Sequence, residues 1–142
     1  YQQLVFRRSL EGETVRRFMR ADPVTVPADV SIEELVQDFV YHHHYKMFPV
    51  SNGEGLLGCV TPKQVKEMPR DQWREHRVAE LAVPCSGENT ISPDTDAMKA
   101  LSTMNQTGNS RLLVVENNRL VGIVTLKDML KFLSLKIDLE QS

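Results

Sequence analysis

The chain is poor in cysteine, in long apolar runs and in excess positive charge, and each shortage excludes a class of protein. Two cysteines, Cys59 and Cys85, form no C-x-x-C pair and are too few for a disulfide framework, so a reducing, cytoplasmic setting is expected. No run approaches the about 18 apolar residues of a membrane span, and no signal-peptide pattern is visible, so direct membrane insertion is not expected. A formal net charge of −2 gives no electrostatic reason to bind nucleic acid. Catalysis lacks its usual marks as well. Cys59 belongs to an apolar strand, Cys85 to a loop, and Ser110 has no G-x-S-x-G elbow around it, so no catalytic residue is assigned and an enzyme is not expected. His42-His43-His44 lacks a ligand at metal spacing, and adjacent residues of a helix do not share a face. These histidines suit a helix end, where the dipole favours them, and no metal site is assigned.

What the chain does have is a sentence written twice. Leu57-Gly58-Cys59-Val60-Thr61-Pro62-Lys63-Gln64 returns as Val121-Gly122-Ile123-Val124-Thr125-Leu126-Lys127-Asp128. Both read as an apolar strand that runs through a threonine into a helix, the second helix carrying Leu126, Met129, Leu130 and Leu133 on one face. At 142 residues the chain holds one ordinary domain or two small ones that share a core. It opens inside an expected helix and stops without taper, as an excised domain would.

The rest of each repeat follows from local signals. Tyr1, Leu4 and Val5 predict a leading helix over residues 1–14, broken by Glu11-Gly12-Glu13. Val15 to Met19 is a short amphipathic turn, ended before Pro23. Val24-Thr25-Val26 is extended, and Ser31 with Glu34 forms a capping box. Ile32, Leu35, Val36, Phe39 and Val40 then make one apolar helix face. Met47 to Val50 is a strand, where Pro49 suggests a missing ladder partner. Asn52-Gly53 turns it into the next strand, and Pro62 opens a helix. The first repeat, residues 15–67, is therefore strand, helix, strand, strand, helix.

Residues 68–77 form a polar linker, pinned to the surface by Trp73. The second repeat, residues 78–136, aligns Val78 to Leu81 with Val15 to Phe18. It further aligns Thr90-Ile91 with Thr25-Val26, Asp96 with Ser31, and Arg111 with Lys46, and it turns at Asn117-Asn118. Residues 137–142 are left as a tail. Two such units, each too small to bury a core well, are expected to pack together as a pseudo-symmetric α/β (α+β) pair.

Paired βαββα units whose strands end Gly-h-h-Thr-x-x-Asp (h apolar) resemble the cystathionine-β-synthase (CBS) domain pair, over roughly Val15 to Leu133. That resemblance implies a regulatory module without an obligatory cofactor. It implies an adenosine-containing ligand (AMP, ADP, ATP or S-adenosylmethionine) in a cleft between the repeats, and assembly as a homodimer. The leading helix, the Pro69-to-Trp73 linker and the closing Leu-Lys-Ile-Asp-Leu are similar to the cytosolic tail of site-two-type intramembrane zinc metalloproteases. On that likeness the parent is a membrane metalloprotease, with its zinc site outside these residues.

Thr125, at the strand-to-helix junction, can turn its hydroxyl and the first helical N–H groups to a phosphate. Asp128 offers two oxygens to a ribose diol, and Arg111 a forked cation to phosphate. Thr90 and Ile91 would wall the adenine, and Gly108-Asn109-Ser110 would let a ligand approach the backbone. With Leu112 these residues form the expected nucleotide site. Thr25, Val26, Lys46, Met47, Phe48, Pro49 and Thr61 are the corresponding second site. There Gln64 stands where the pattern wants Asp, and an amide has one acceptor oxygen and cannot serve a diol as a carboxylate does. Helix capping accounts for Thr-x-x-Gln and Thr-x-x-Asp alike without a ligand, so a ligand-free dimerisation module is the alternative.

Overall fold

The computed structural model describes residues 10–140; the leading helix expected over residues 1–14 and the end of the tail lie largely outside them. Eight strands are present among the described residues: β1 (Arg20–Ala21), β2 (Val26–Pro27), β3 (Phe48–Ser51), β4 (Leu56–Val60), β5 (Val83–Pro84), β6 (Thr90–Ile91), β7 (Arg111–Glu116) and β8 (Arg119–Thr125). They form two sheets, in the orders β2-β3-β4-β5 and β1-β8-β7-β6. Each sheet lies in its own compact unit. Residues 23–86 make one, and residues 10–22 together with 87–140 make the other. The fold is mixed α+β.

In the unit of residues 23–86, β2 runs parallel to β3, and the connection is a helix over residues 32–43. Ser31 caps that helix by accepting the Glu34 N–H at 3.1 Å, half of the expected box; the Glu34 carboxylate meets the Ser31 hydroxyl instead of its backbone. Ile32, Leu35 and Val36 are buried beneath it, with Phe39 and Val40 at the edge of the same core. The middle of this helix, Leu35–Val40, is wound as a π-helix, and His44 ends it in the left-handed region. Asn52 closes the β3–β4 turn through its side chain, which accepts from Glu54 and Gly55. β2 pairs with β3 only from Val26 and Val50 onward, so the ladder on that side begins one residue past Pro49.

The second unit repeats the plan. β6 and β7 are parallel, joined by the helix Ala97–Thr107, which Asp96 caps and Gly108 ends with a positive φ. Asn117 and Asn118, both at positive φ, make the β7–β8 hairpin turn. The closing helix, Leu126–Glu140, runs through most of the residues set apart as a tail. Met129 and Leu133 are buried and Leu126 packs against them, but Leu130 is exposed. The buried line is i, i+3, i+7, and Leu130 falls a quarter-turn past Met129, off the contact.

One feature separates the sequence repeats from the compact units. The opening segment of each repeat folds with the other repeat's sheet. The turn Val15–Arg17 docks on residues 93–95, with the Val15 N–H donating to the Thr95 carbonyl and the Arg16 N–H to the Pro93 carbonyl. In the other unit, Val78 and Ala79 donate to the carbonyls of Val30 and Ala28 in the same way. The carbonyl just ahead of each turn then accepts the first N–H of a helix: Glu13 from Ala97, His76 from Ile32. These helix donors would otherwise be unpaired. The linker contributes too, because the Trp73 carbonyl accepts from Glu33, while its ring packs on the core and donates to the Met68 carbonyl at 3.0 Å.

Each docked segment ends as the fourth strand of the sheet, and a glycine admits it. β1 lies antiparallel to β8 with Ala21 opposite Gly122, and β5 antiparallel to β4 with Pro84 opposite Gly58. A methyl group on Gly122 would stand 2.7 Å from the Arg20 carbonyl oxygen and 3.2 Å from the Met19 sulfur; one on Gly58 would run into the Val83 carbonyl. The glycine of the repeated motif is thus a seat for a strand. Gly122→Ala should cost about 1–3 kcal/mol by overpacking against backbone, and Gly58→Ala at least as much. Urea denaturation measures both, and near-neutral values for the pair would refute the assignment.

Candidate functional site

The expected nucleotide residues of the second repeat all fall in one unit, and β7, β8 and the closing helix bring most of them to one corner. Arg111 stands directly opposite Thr125 across the β7–β8 ladder. The Arg111 guanidinium donates to the Ser110 hydroxyl at 3.0 Å, and the Ser110 carbonyl accepts the Leu126 N–H at 2.8 Å. Thr125 accepts the Asp128 N–H at 3.1 Å. Two of the first donors of the closing helix are therefore held by the protein itself.

The other members lie around this corner. The Asn109 amide donates to the Glu88 carbonyl at 2.9 Å, which ties the loop before β7 to the segment before β6. Thr90 pairs with Leu113, and Thr90 and Ile91 are half-buried. Leu112 is fully buried in the core.

Asp128 has a partner that sequence reasoning missed. Arg20 of β1 donates to it as a fork, Nε to Oδ2 at 2.8 Å and Nη2 to Oδ1 at 2.9 Å. The Asp128 side chain is 15% exposed and that of Arg20 63%. The Arg20 guanidinium holds the Asp128 carboxyl below its ordinary value; partial burial works the other way, and the Thr125 hydroxyl adds to the lowering. The available signal was the doubled glycine, which marks where β1 must lie.

In the other unit the same motif is closed on itself. The Gln64 amide oxygen accepts from both the backbone N–H and the hydroxyl of Thr61, each at 2.7 Å, while the Thr61 hydroxyl accepts from Lys63 at 3.3 Å. This is a complete capping box. Val26, Met47, Phe48 and Pro49 are buried, whereas Thr25 and Lys46 are exposed. His42 and His43 lie in the last turn of their helix, and His43 stacks on Tyr45 with ring centres 5.4 Å apart. Among the described residues no three His, Cys, Asp or Glu side chains stand close enough to hold a metal ion, and no helix is long and apolar enough to cross a membrane.

Two βαββα repeats, each with a glycine-seated strand and a threonine at the strand-to-helix junction, define a tandem small-domain pair. The chain belongs to the CBS-domain family: the family model described as "CBS domain" matches residues 15–69 and again 78–135. Among curated proteins it is 32% identical over 136 residues to the zinc metalloprotease MJ0392 of Methanocaldococcus jannaschii, covering 90% of this chain and 36% of that one. It is 28% identical over 124 residues to the putative zinc metalloprotease Rip3 of Mycobacterium tuberculosis, covering 86% and 32%. The chain thus spans about a third of the length of these relatives. Among solved structures it resembles the CBS domain of a bacterial CNNM/CorC-family Mg2+ transporter in complex with ATP, at TM-score 0.77 and 21% identity, covering 94% and 98% of the two chains. CBSX2 in complex with AMP follows at TM-score 0.75 and 20% identity, covering 89% and 99%.

The Arg20–Asp128 pair has a pH signature. A carboxyl held below its ordinary 3.8 contributes stability that is present above that value and lost as pH falls through the depressed one. Asp128→Asn keeps the size and removes the charge. At neutral pH it should cost about 1 kcal/mol or less, since Arg20 is largely solvated. The difference in melting temperature from wild type should narrow as pH falls below 3.8 and close once the carboxyl is protonated. A difference that does not change with pH would show that the charge does not carry the contact.

Proposed function

We propose that this chain is a regulatory module that takes an adenosine nucleotide (AMP, ADP or ATP) at the strand-to-helix corner of its second repeat and reports occupancy to a larger protein. Thr125 and Arg111 face the phosphates, Asp128 takes the ribose hydroxyls, and Thr90, Ile91, Asn109, Ser110 and the Leu112 backbone frame the base. One observation carries this reading. Gln64 spends its side chain on closing a helix cap, whereas the Asp128 carboxylate is turned to a cation at the edge of the unit and stays ionised. Capping alone accounts for the first repeat and leaves that carboxylate over.

The likeness to CBS domains solved with ATP and with AMP supports the ligand class. The first repeat, with its acceptor consumed, is the weaker of the two sites. The relatives named as zinc metalloproteases support a parent of that kind. On this reading the module lies on its parent's cytoplasmic side, works as a homodimer and performs no catalysis itself.

A second reading rests on the same ion pair. If Arg20 and Asp128 simply tie β1 to its sheet, the chain is a ligand-free assembly module.

A thermal-shift titration with AMP, ADP and ATP, repeated on Asp128→Ala, separates the two. A nucleotide at 100 times its dissociation constant should add about 2.7 kcal/mol and raise the melting temperature by several degrees, and the variant should lose the shift. No shift from any of the three would favour the assembly module. A shift that survives the substitution would move the site away from Asp128.

A further inference from the structure

We infer that Arg20 is a residue of this same site, a built-in occupant of the ribose seat that the nucleotide must displace. The inference rests on the nucleotide reading above and adds to it a competitor within the chain. Its basis is the geometry of the carboxylate. Arg20 bonds Asp128 as a fork across both oxygens, so the edge between them, which a vicinal diol also needs, is taken. The Asp128 side chain is only 15% exposed. While the guanidinium stays, the two lone pairs that a diol would meet edge-on are occupied.

The other unit shows that the ion pair is not what holds the strand. β5 occupies in its sheet the place that β1 occupies here, and the register makes Val83 the counterpart of Arg20: Val83 lies opposite Cys59, one residue past Gly58, as Arg20 lies opposite Ile123, one residue past Gly122. Where Asp128 becomes Gln64, Arg20 becomes Val83. β5 joins its sheet with no such ion pair, since Val83 carries no charge, and is seated on Gly58 through its ladder with β4. Docking β1 therefore does not require Arg20, and the arginine is present only in the unit that also has the carboxylate.

Two consequences follow from the exchange. The free site is kept neutral and closed, so weak diol donors meet a carboxylate already satisfied. Once a nucleotide takes Asp128, Arg20 is released at a corner where phosphates arrive, still attached to β1. Occupancy is thereby linked to the side-chain anchoring of the opening segment, and by reciprocity whatever holds that segment in place weakens the nucleotide.

The experiment is isothermal titration of ATP and AMP into wild type and Arg20→Ala, with Arg20→Lys as a charge-retaining variant that cannot form the fork. Removing the competitor should tighten binding about three- to fivefold, the factor set by a half-exposed ion pair, with the lysine variant in between. Nitrogen-15 NMR of the Arg20 Nε–H supplies a readout that a merely structural contact would not move. Its signal should leave the hydrogen-bonded position as nucleotide saturates wild type.

Equal or weaker binding by Arg20→Ala, or an Nε–H signal unmoved at saturation, overturns the competitor while leaving the nucleotide site standing. No binding by either protein removes the nucleotide site and the competitor together. Melting of Arg20→Ala close to wild type confirms that a change in affinity is not a loss of fold.

Discussion

The close approach of a foreign strand to a glycine is the constraint on which the rest of this structure depends. In each sheet three strands come from one contiguous stretch of chain, and the fourth arrives from a segment that opens the other repeat. That fourth strand is two residues long, too short to hold its place by ladder bonds alone. Its backbone lies so near β4 or β8 that a single methyl group would collide with a carbonyl oxygen. Because the seat is this tight, the register is fixed, and a fixed register decides which side chain of the opening segment reaches the strand-to-helix corner. Arg20 meets Asp128 because Ala21 sits on Gly122. The motif glycine, remote from any chemistry of its own, places a cation in the candidate site.

Gln64 and Asp128 show how one methylene and one charge redirect a motif. Both follow a threonine by three residues at the start of a helix. The longer glutamine can reach back to the threonine backbone, and its single acceptor oxygen serves two donors there. The shorter, charged aspartate takes Thr125 through its backbone N–H and turns both carboxylate oxygens to a guanidinium. The neutral amide ends as local structure. The carboxylate remains a charge, with two acceptor atoms on one edge.

Much of this was legible in the sequence because it is local. Caps at Ser31, Thr61 and Asp96, the turns at Asn52-Gly53 and Asn117-Asn118, and the core line Ile32, Leu35, Val36 depend on residues within a few positions of one another. The exchange of opening segments was hidden because β1 finds β8 across about a hundred residues, and its signal is one missing side chain. Arg20 was hidden for the same reason: it lies 108 residues from its partner, in a stretch that carries several arginines with nothing in the local pattern to single one out. Leu130 was misplaced because an apolar run at a helix start fits two adjacent faces, and only the position of the sheet chooses between them.

The strength of the Arg20–Asp128 contact matters as much as its presence. Had both groups been buried, separating them would strand an uncompensated charge at a cost of several kcal/mol, more than a small ligand's hydroxyls return. Had both been fully solvated, the pair would compete no better than water does. Here one partner is largely shielded and the other largely exposed. The carboxylate is kept oriented and ionised, while the guanidinium can leave into water without being stranded. An ion pair of that intermediate kind holds a site closed against weak donors and yields to a ligand whose own contacts outweigh it.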